Sequence, residues 1–336
     1  MTAVSTLIDA PPRRTPLRGL LAPGAALVVG LLMVWWAGGS GYRQDLLVLV
    51  AVYALIALGM YIPFVLAGSL SMAYSAYAAI GGYSVAIVTT ETDLPAIVGW
   101  IAGPLASALV AVVLSLLTRR LSGFYLAAAT LLFGLAFEPW LIEAKELTGG
   151  SAGIGGIPAP SIFGWEPPRI VQAAFALLLV VVVASAIERV RTGSWGVTVR
   201  AMRDVPSAVE AVGVRTASLT TVALAVGAAV ASLGGALFAS FVLSITPETF
   251  TLSIVFMAIF IPLIGGQGSA WGSVIGAIIV VQLTVNMPEF EASGQLLLAV
   301  VVLAILLLAP SGIIGYAQKL VQAVRGRAGK RVRDEQ

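Results

Sequence analysis

Ten apolar runs, each close to the length that crosses a bilayer, restrict this chain to one kind of architecture. A helix needs about 17–25 residues to traverse roughly 30 Å of hydrocarbon. Runs of that order lie near positions 20–38, 46–68, 72–90, 95–117, 123–141, 170–187, 217–242, 251–264, 271–286 and 295–309. Lipid offers peptide groups no hydrogen-bond partner, so such runs fold as helices. The expected fold is an all-α integral membrane protein, a polytopic helical bundle of about 8–10 transmembrane segments. The eighth and ninth runs are short and meet at Gly265, Gly266, Gln267 and Gly268, which makes them candidates for a broken or re-entrant pair. A tail at 1–19 and a basic tail at 316–336 flank this body at 20–315. The run from Leu20 to Trp36 follows Arg13, Arg14 and Arg18 as a signal peptide would, but it lacks a small-residue cleavage site. It is expected to stay as a helix.

Basic residues set the orientation. With the N-terminus in the cytoplasm, all 19 lysines and arginines except Arg43, Lys145 and Arg169 fall on the inner side, as the positive-inside rule requires. Both termini are then cytoplasmic. Two loops are long: an outer one at 142–169 and a cytoplasmic one at 188–216. Net charge is only +3, so the arginines mark topology and not a nucleic-acid surface.

Composition removes most chemistry. The chain has no cysteine and no histidine, which excludes disulfides, thiolate nucleophiles, imidazole bases and the usual zinc sites. A membrane enzyme would need a nucleophile and a base, and no intramembrane acid pair supplies one. The outer run from Gly149 to Gly156 is rich in glycine, yet no Lys–Ser or Lys–Thr follows it and Pro158 stands where a dinucleotide fingerprint needs its third glycine. It is expected to be a tight surface loop.

Three features remain as candidate sites. Glu138, followed by Pro139, is the one carboxylate inside an apolar run, and an intramembrane charge is functional by default. It lies near the outer end of its segment, so exposure to outer water is the plainer reading. In the third segment Ser71, Tyr74 and Ser75 share a helical face with Tyr77 beside it; this stripe either lines a path for a small polar solute or packs helices together. Gly268, Gly272 and Gly276, like Gly227, Ala231 and Gly235, repeat at four and read as close helix contacts.

The third feature is the cytoplasmic loop. Asp204 is placed to cap a short helix, Pro206 falls in its first turn and Gly213 at its C′ position. Val205, Ala208, Val209 and Val212 then form one apolar stripe between Arg200 and Arg203 on one side and Arg215 on the other. An exposed stripe of this kind needs a cover, either a partner protein or the lipid surface.

Five runs together carry a resemblance: VRAMRDVPSAVEAVGV, GFYLAAATLLFG, LTGGSAGIGGIP, GGQGSAWGSVIGA and LAPSGIIG. They resemble the LivM-type permease subunits of bacterial branched-chain amino acid ABC importers, over about Leu58 to Gly315. The resemblance implies an inner-membrane permease paired with a second, LivH-like permease, with ATPase subunits below and an external solute-binding protein above. It implies no cofactor on this chain, since ATP and Mg sit on the ATPase. It makes the loop with Arg200, Arg203, Asp204, Val205, Pro206, Ala208, Val209, Glu210, Val212 and Gly213 the ATPase-coupling segment. One departure bears on cargo: the family often has Leu-Gly-His-Ala before the third segment's glycines, where this chain has Met72, Ala73, Tyr74 and Ser75. Branched-chain or other small amino acids, urea and short amides all remain as cargo. A transporter or channel working alone is the rival, and it would need an ion site at mid-membrane.

Overall fold

The computed structural model describes residues 16–92, 94–121, 123–160 and 167–286, with positions 300, 303, 312, 315 and 316. The helices are α1 (Pro16–Ala37), α2 (Gly41–Met60), α3 (Tyr74–Glu91), α4 (Ala96–Leu117), α5 (Phe124–Glu143), α6 (Lys145–Thr148), α7 (Arg169–Thr192), α8 (Ser194–Asp204), α9 (Pro206–Ala211), α10 (Thr216–Val242), α11 (Leu252–Gly265) and α12 (Ala270–Asn286). The first nine predicted segments each find a helix within a few residues of the expected bounds. The tenth segment and the basic tail lie outside the described residues, apart from the isolated positions above.

Among the described residues, six helical stretches are long and apolar enough to cross a membrane: Gly41–Leu66, Ala96–Leu117, Phe124–Glu143, Arg169–Thr192, Thr216–Val242 and Pro247–Gly265. Helix α3 is not among them although it lies at the centre. Tyr74, Tyr77, Ala78 and Ala86 are all buried, because α3 is enclosed by α10 and α4 and meets little lipid. A helix covered by protein gains from small residues that admit neighbouring backbones more than from bulk. A Cβ on Gly81 would fall 2.0 Å from the carbonyl oxygen of Ser232, and one on Gly235 1.8 Å from that of Ala78.

Helix α2 is the second hub, packed on α10, α7 and α12. It does not stop at Met60 but widens into a π-turn over Tyr61–Leu66. Pro63 is the cause. It has no N–H for the carbonyl four residues back, that of Gly59, and the Tyr74 hydroxyl donates to that oxygen at 3.1 Å. The turn ends at Gly68, whose φ is +67°.

The helices run between two poles. At one, Tyr61 Oη donates to the carbonyl of Gln267 at 3.1 Å and Ser115 and Thr221 share a hydroxyl bond of 2.7 Å. At the other, Arg169 pairs with Asp45 at 3.2 Å. There the strand β1 (Ile154–Gly155) pairs antiparallel with β2 (Ser244–Ile245). The glycine-rich run is therefore a joint: Gly153 at φ +70° would place a Cβ 2.0 Å from the Ile245 carbonyl oxygen. The α11–α12 pair runs from one pole to the other. Gln267, in its turn, meets Tyr61, while Val285 lines a groove with Tyr42 and Asp45 at the opposite end. Gly272 and Gly276 close this hairpin against Gly266 and Ile261.

Candidate functional site

The pole that gathers Arg189, Arg191, Arg200, Arg203 and Arg215 carries the site. Here α7 turns into α8 at Gly193, and α8 folds back across the ends of α7 and α2. Trp195, Val199 and Met202 recur at i, i+4 and i+7 and face the bundle, with Val199 and Met202 buried. Ser194, Val197, Ala201 and Asp204 face out. Sequence reasoning missed this amphipathic helix, although its inward stripe stands in the sequence.

It changes the expected cap. Asp204 is the last residue of α8, so it cannot begin the next helix; Val205 takes that position, without a side-chain cap bond. Pro206 opens α9 as expected. Gly213 lies in the left-handed region at φ +84°, and its N–H donates to the Glu210 carbonyl at 2.9 Å. The single apolar stripe is split. Val209 is 6% exposed and packs into this chain's own core, whereas Val205 is 53% and Val212 76% exposed. Ala208 is also exposed. Helix α9 needs Val209 to sit on α8 and α10, and Val205, Ala208 and Val212 remain for another molecule.

The arginines divide likewise. Arg200 curls back, donating from Nε to the Gly196 carbonyl at 3.2 Å and from Nη2 to that of Arg191 at 3.3 Å. Arg203 donates from Nη1 to the Val65 carbonyl at 2.6 Å, and its stem lies against Gly68. Both guanidiniums thus hold carbonyls left open at the ends of α7 and the α2 turn. Glu210 Oε1 accepts the Thr216 hydroxyl at 2.6 Å and stays exposed. Beside them opens a cavity of about 550 Å³, lined by Phe64, Gly68, Met202, Arg203, Pro206 and Gln267.

Sequence reasoning also missed Glu188. Its carboxylate accepts from Arg191 Nε at 3.0 Å, from Ser269 Oγ at 3.1 Å and from the backbone N–H of Ala270 at 3.0 Å. An acid at an apolar helix's end looks like an interfacial residue until the fold brings α12 to it.

The polar stripe of α3 has a different setting. Ser71, Tyr74, Ser75 and Tyr77 are all buried within the chain, and Tyr74 and Tyr77 meet edge to face at 5.5 Å. None of the four lines the groove beside Asp45 or the cavity beside Arg203. Replacing Tyr74 by Phe removes the buried hydroxyl bond to the Gly59 carbonyl. A loss of about 1–3 kcal/mol is expected, read as a lower unfolding midpoint in detergent, with the rate of solute uptake unchanged. A fall in uptake at an unchanged midpoint would instead put Tyr74 on the path. Glu138 is half-buried in α5, toward the pole opposite the arginines, and has no ion-pair partner among the described residues.

Comparison with known proteins agrees with this arrangement. LivM, the high-affinity branched-chain amino acid transport system permease protein of Escherichia coli (strain K12), is 28% identical over 330 residues, which covers 90% of this chain and 77% of that one. The protein of the same name from Salmonella typhimurium (strain LT2) is 27% identical over the same shares. No solved structure matches the chain. Residues 42–310, from the start of α2 through the closing segments, match the family described as branched-chain amino acid transport system / permease component. A bundle of pole-to-pole helices with an amphipathic helical corner at its basic end is thus the transmembrane component of a transport system, and the chain belongs to the branched-chain amino acid transport permease family.

Proposed function

We propose that this permease moves branched-chain or other small amino acids across the bacterial inner membrane, driven by ATP hydrolysis in separate ATPase subunits that dock on α8 and α9. The observation that carries the docking role is the exposure of Val205 and Val212, 53% and 76%, on the one pole where basic side chains cluster. Apolar side chains at such a place gain by burial in a protein partner. The arginine-rich pole is the cytoplasmic one by the positive-inside rule, which puts the N-terminus inside as well. A second, LivH-like permease would complete the solute path, and an external solute-binding protein would deliver cargo at the opposite pole. ATP and Mg belong to the ATPase subunits, and this chain needs no ATP site of its own.

In this reading, ATP binding closes the ATPase pair and carries α8 and α9 with it. The energetic requirement is only that the ATPase hold these helices differently in its two states. Arg203 then acts from within, by fixing α8 to the end of α2, and Glu210 is the exposed acid left for the partner. Charge reversal of Arg203 to Glu is expected to lower ATP-driven uptake by about tenfold, the equivalent of roughly 1.4 kcal/mol, in vesicles holding the complete complex. Uptake and assembly both unchanged would remove Arg203 from the coupling path. The same vesicles separate this reading from a transporter working alone. Uptake should stop without ATP and persist when ion gradients are collapsed; the reverse pattern would turn attention to Glu138.

A further inference from the structure

Glu188 does more than pair with a neighbour. It lies one turn before the end of α7, and its side chain and that of Arg191 are only 22% and 16% exposed. At that burial the pair is little screened by salt. One carboxylate oxygen takes the Ala270 N–H and the Ser269 hydroxyl together, while the Ser269 Oγ accepts from the Trp271 N–H at 3.3 Å. The open N–H groups at the start of α12 are thus held by a side chain from α7, with the negative charge where a helix N-terminus favours it.

Four joints close into a ring. Arg200 ties α8 to the end of α7 through the Arg191 carbonyl. Glu188 ties α7 to the start of α12, Tyr61 ties the turn before α12 to α2 through Gln267, and Arg203 ties α2 back to α8. The hairpin at the far side of the ring is stiff, since a Cβ on Gly265 would fall 1.8 Å from the Gly272 carbonyl oxygen. Whatever holds Ser269 and Ala270 therefore holds both α11 and α12, which run the length of the bundle.

We infer that Glu188 is a positioning residue that makes α8 and the α11–α12 turn move as one body, so that displacement of the coupling helices is delivered to that hairpin. This rests on the proposal that the ATPase docks on α8 and α9. A static cap would tolerate a neutral acceptor or a well-packed apolar pair, because replacing a buried ion pair with apolar residues of similar volume is often neutral for stability. A transmitting joint would not tolerate it.

The chain has no cysteine, so Ser194→Cys at the start of α8 and Gly268→Cys in the hairpin turn, both exposed, accept spin labels cleanly. In the full complex, the distance between them should stay constant between nucleotide-free and ATP-bound states. In Glu188→Leu/Arg191→Met the same distance should shift by about 2 Å or more, the scale of helix shifts in switching. Uptake should then fall about tenfold or more while ATP hydrolysis continues and the ATPase subunits stay bound. Glu188→Gln, which keeps shape and an acceptor, is expected to change in the same direction and covers the case in which the apolar pair fails to assemble. A wild-type distance that changes with nucleotide would overturn the inference, and so would Glu188 variants that keep both a constant distance and full uptake. Failure of the ATPase subunits to bind the wild type would instead sink the docking proposal on which it rests.

Discussion

Replacing Val205 and Val212 together by Asp should strip the ATPase subunits from the purified complex while leaving this chain in the membrane at its normal level. Both side chains are exposed in the chain alone, at 53% and 76%, so the substitution costs the isolated fold little. Docked, each valine would gain about 1.5 kcal/mol from burial. Losing both is worth roughly 3 kcal/mol, about 150-fold in affinity, and burying two unpaired carboxylates adds to that loss. Mass spectrometry of what co-purifies with a C-terminally tagged chain in mild detergent reads the result. The second permease should stay and the ATPase subunits should go. Retention of the ATPase subunits by the double variant would mean that the valines face lipid at the membrane surface, and binding of the loop to anionic vesicles would then be the property to measure. Val209 is left out of this test on purpose. At 6% exposure it belongs to the chain's own core, so Val209→Asp would disrupt α9 itself and report nothing about a partner.

That difference among three valines marks where the sequence stops being readable. The transmembrane helices were legible because lipid leaves the backbone no alternative: an apolar run of sufficient length satisfies its peptide groups only as a helix. The predicted runs at 123–141 and 217–242 became α5 (Phe124–Glu143) and α10 (Thr216–Val242) for that reason alone. At the basic pole water is present and several structures are possible for one pattern, so tertiary contacts decide. Val209 turned inward because α8 and α10 supply a surface for it. Asp204 failed as a cap because α8 continues through it. Arg200 and Arg203, flanks for a partner in the sequence pattern, are recruited by carbonyls of Arg191 and Val65, the latter 138 residues away in sequence. Glu188 reaches α12 across a span of 82 residues, and no local pattern announces such a meeting. The polar stripe of α3 was visible as a stripe, but whether small and hydroxylated residues face a path or a neighbouring helix depends on what surrounds them.

The small residues make the second large prediction. Gly235→Ala should destabilise the chain by about 3 kcal/mol or more, the upper range for overpacking a close contact, although alanine is otherwise the better helix former. The added methyl would sit 1.8 Å from the Ala78 carbonyl oxygen, which is backbone and has no rotamer to give. Helices α3 and α10 would have to separate, and they cannot do so locally. A Cβ on Gly81 would meet the Ser232 carbonyl oxygen at 2.0 Å one turn along the same crossing, so the two helices touch backbone to backbone over a continuous stretch. Opening it also strains Gly227, where Gly59, Pro63 and the Tyr74 hydroxyl converge. The unfolding midpoint of the purified complex, followed by tryptophan fluorescence, is expected to fall by about 5 °C or more. Gly268→Ala is the matched control: it belongs to a similar four-residue glycine repeat, but a methyl group there would meet nothing within 4 Å, and its midpoint should equal that of the wild type. Equal midpoints for both variants would mean that α3 and α10 are free to part, and backbone-to-backbone packing at the centre of the bundle would have to be abandoned.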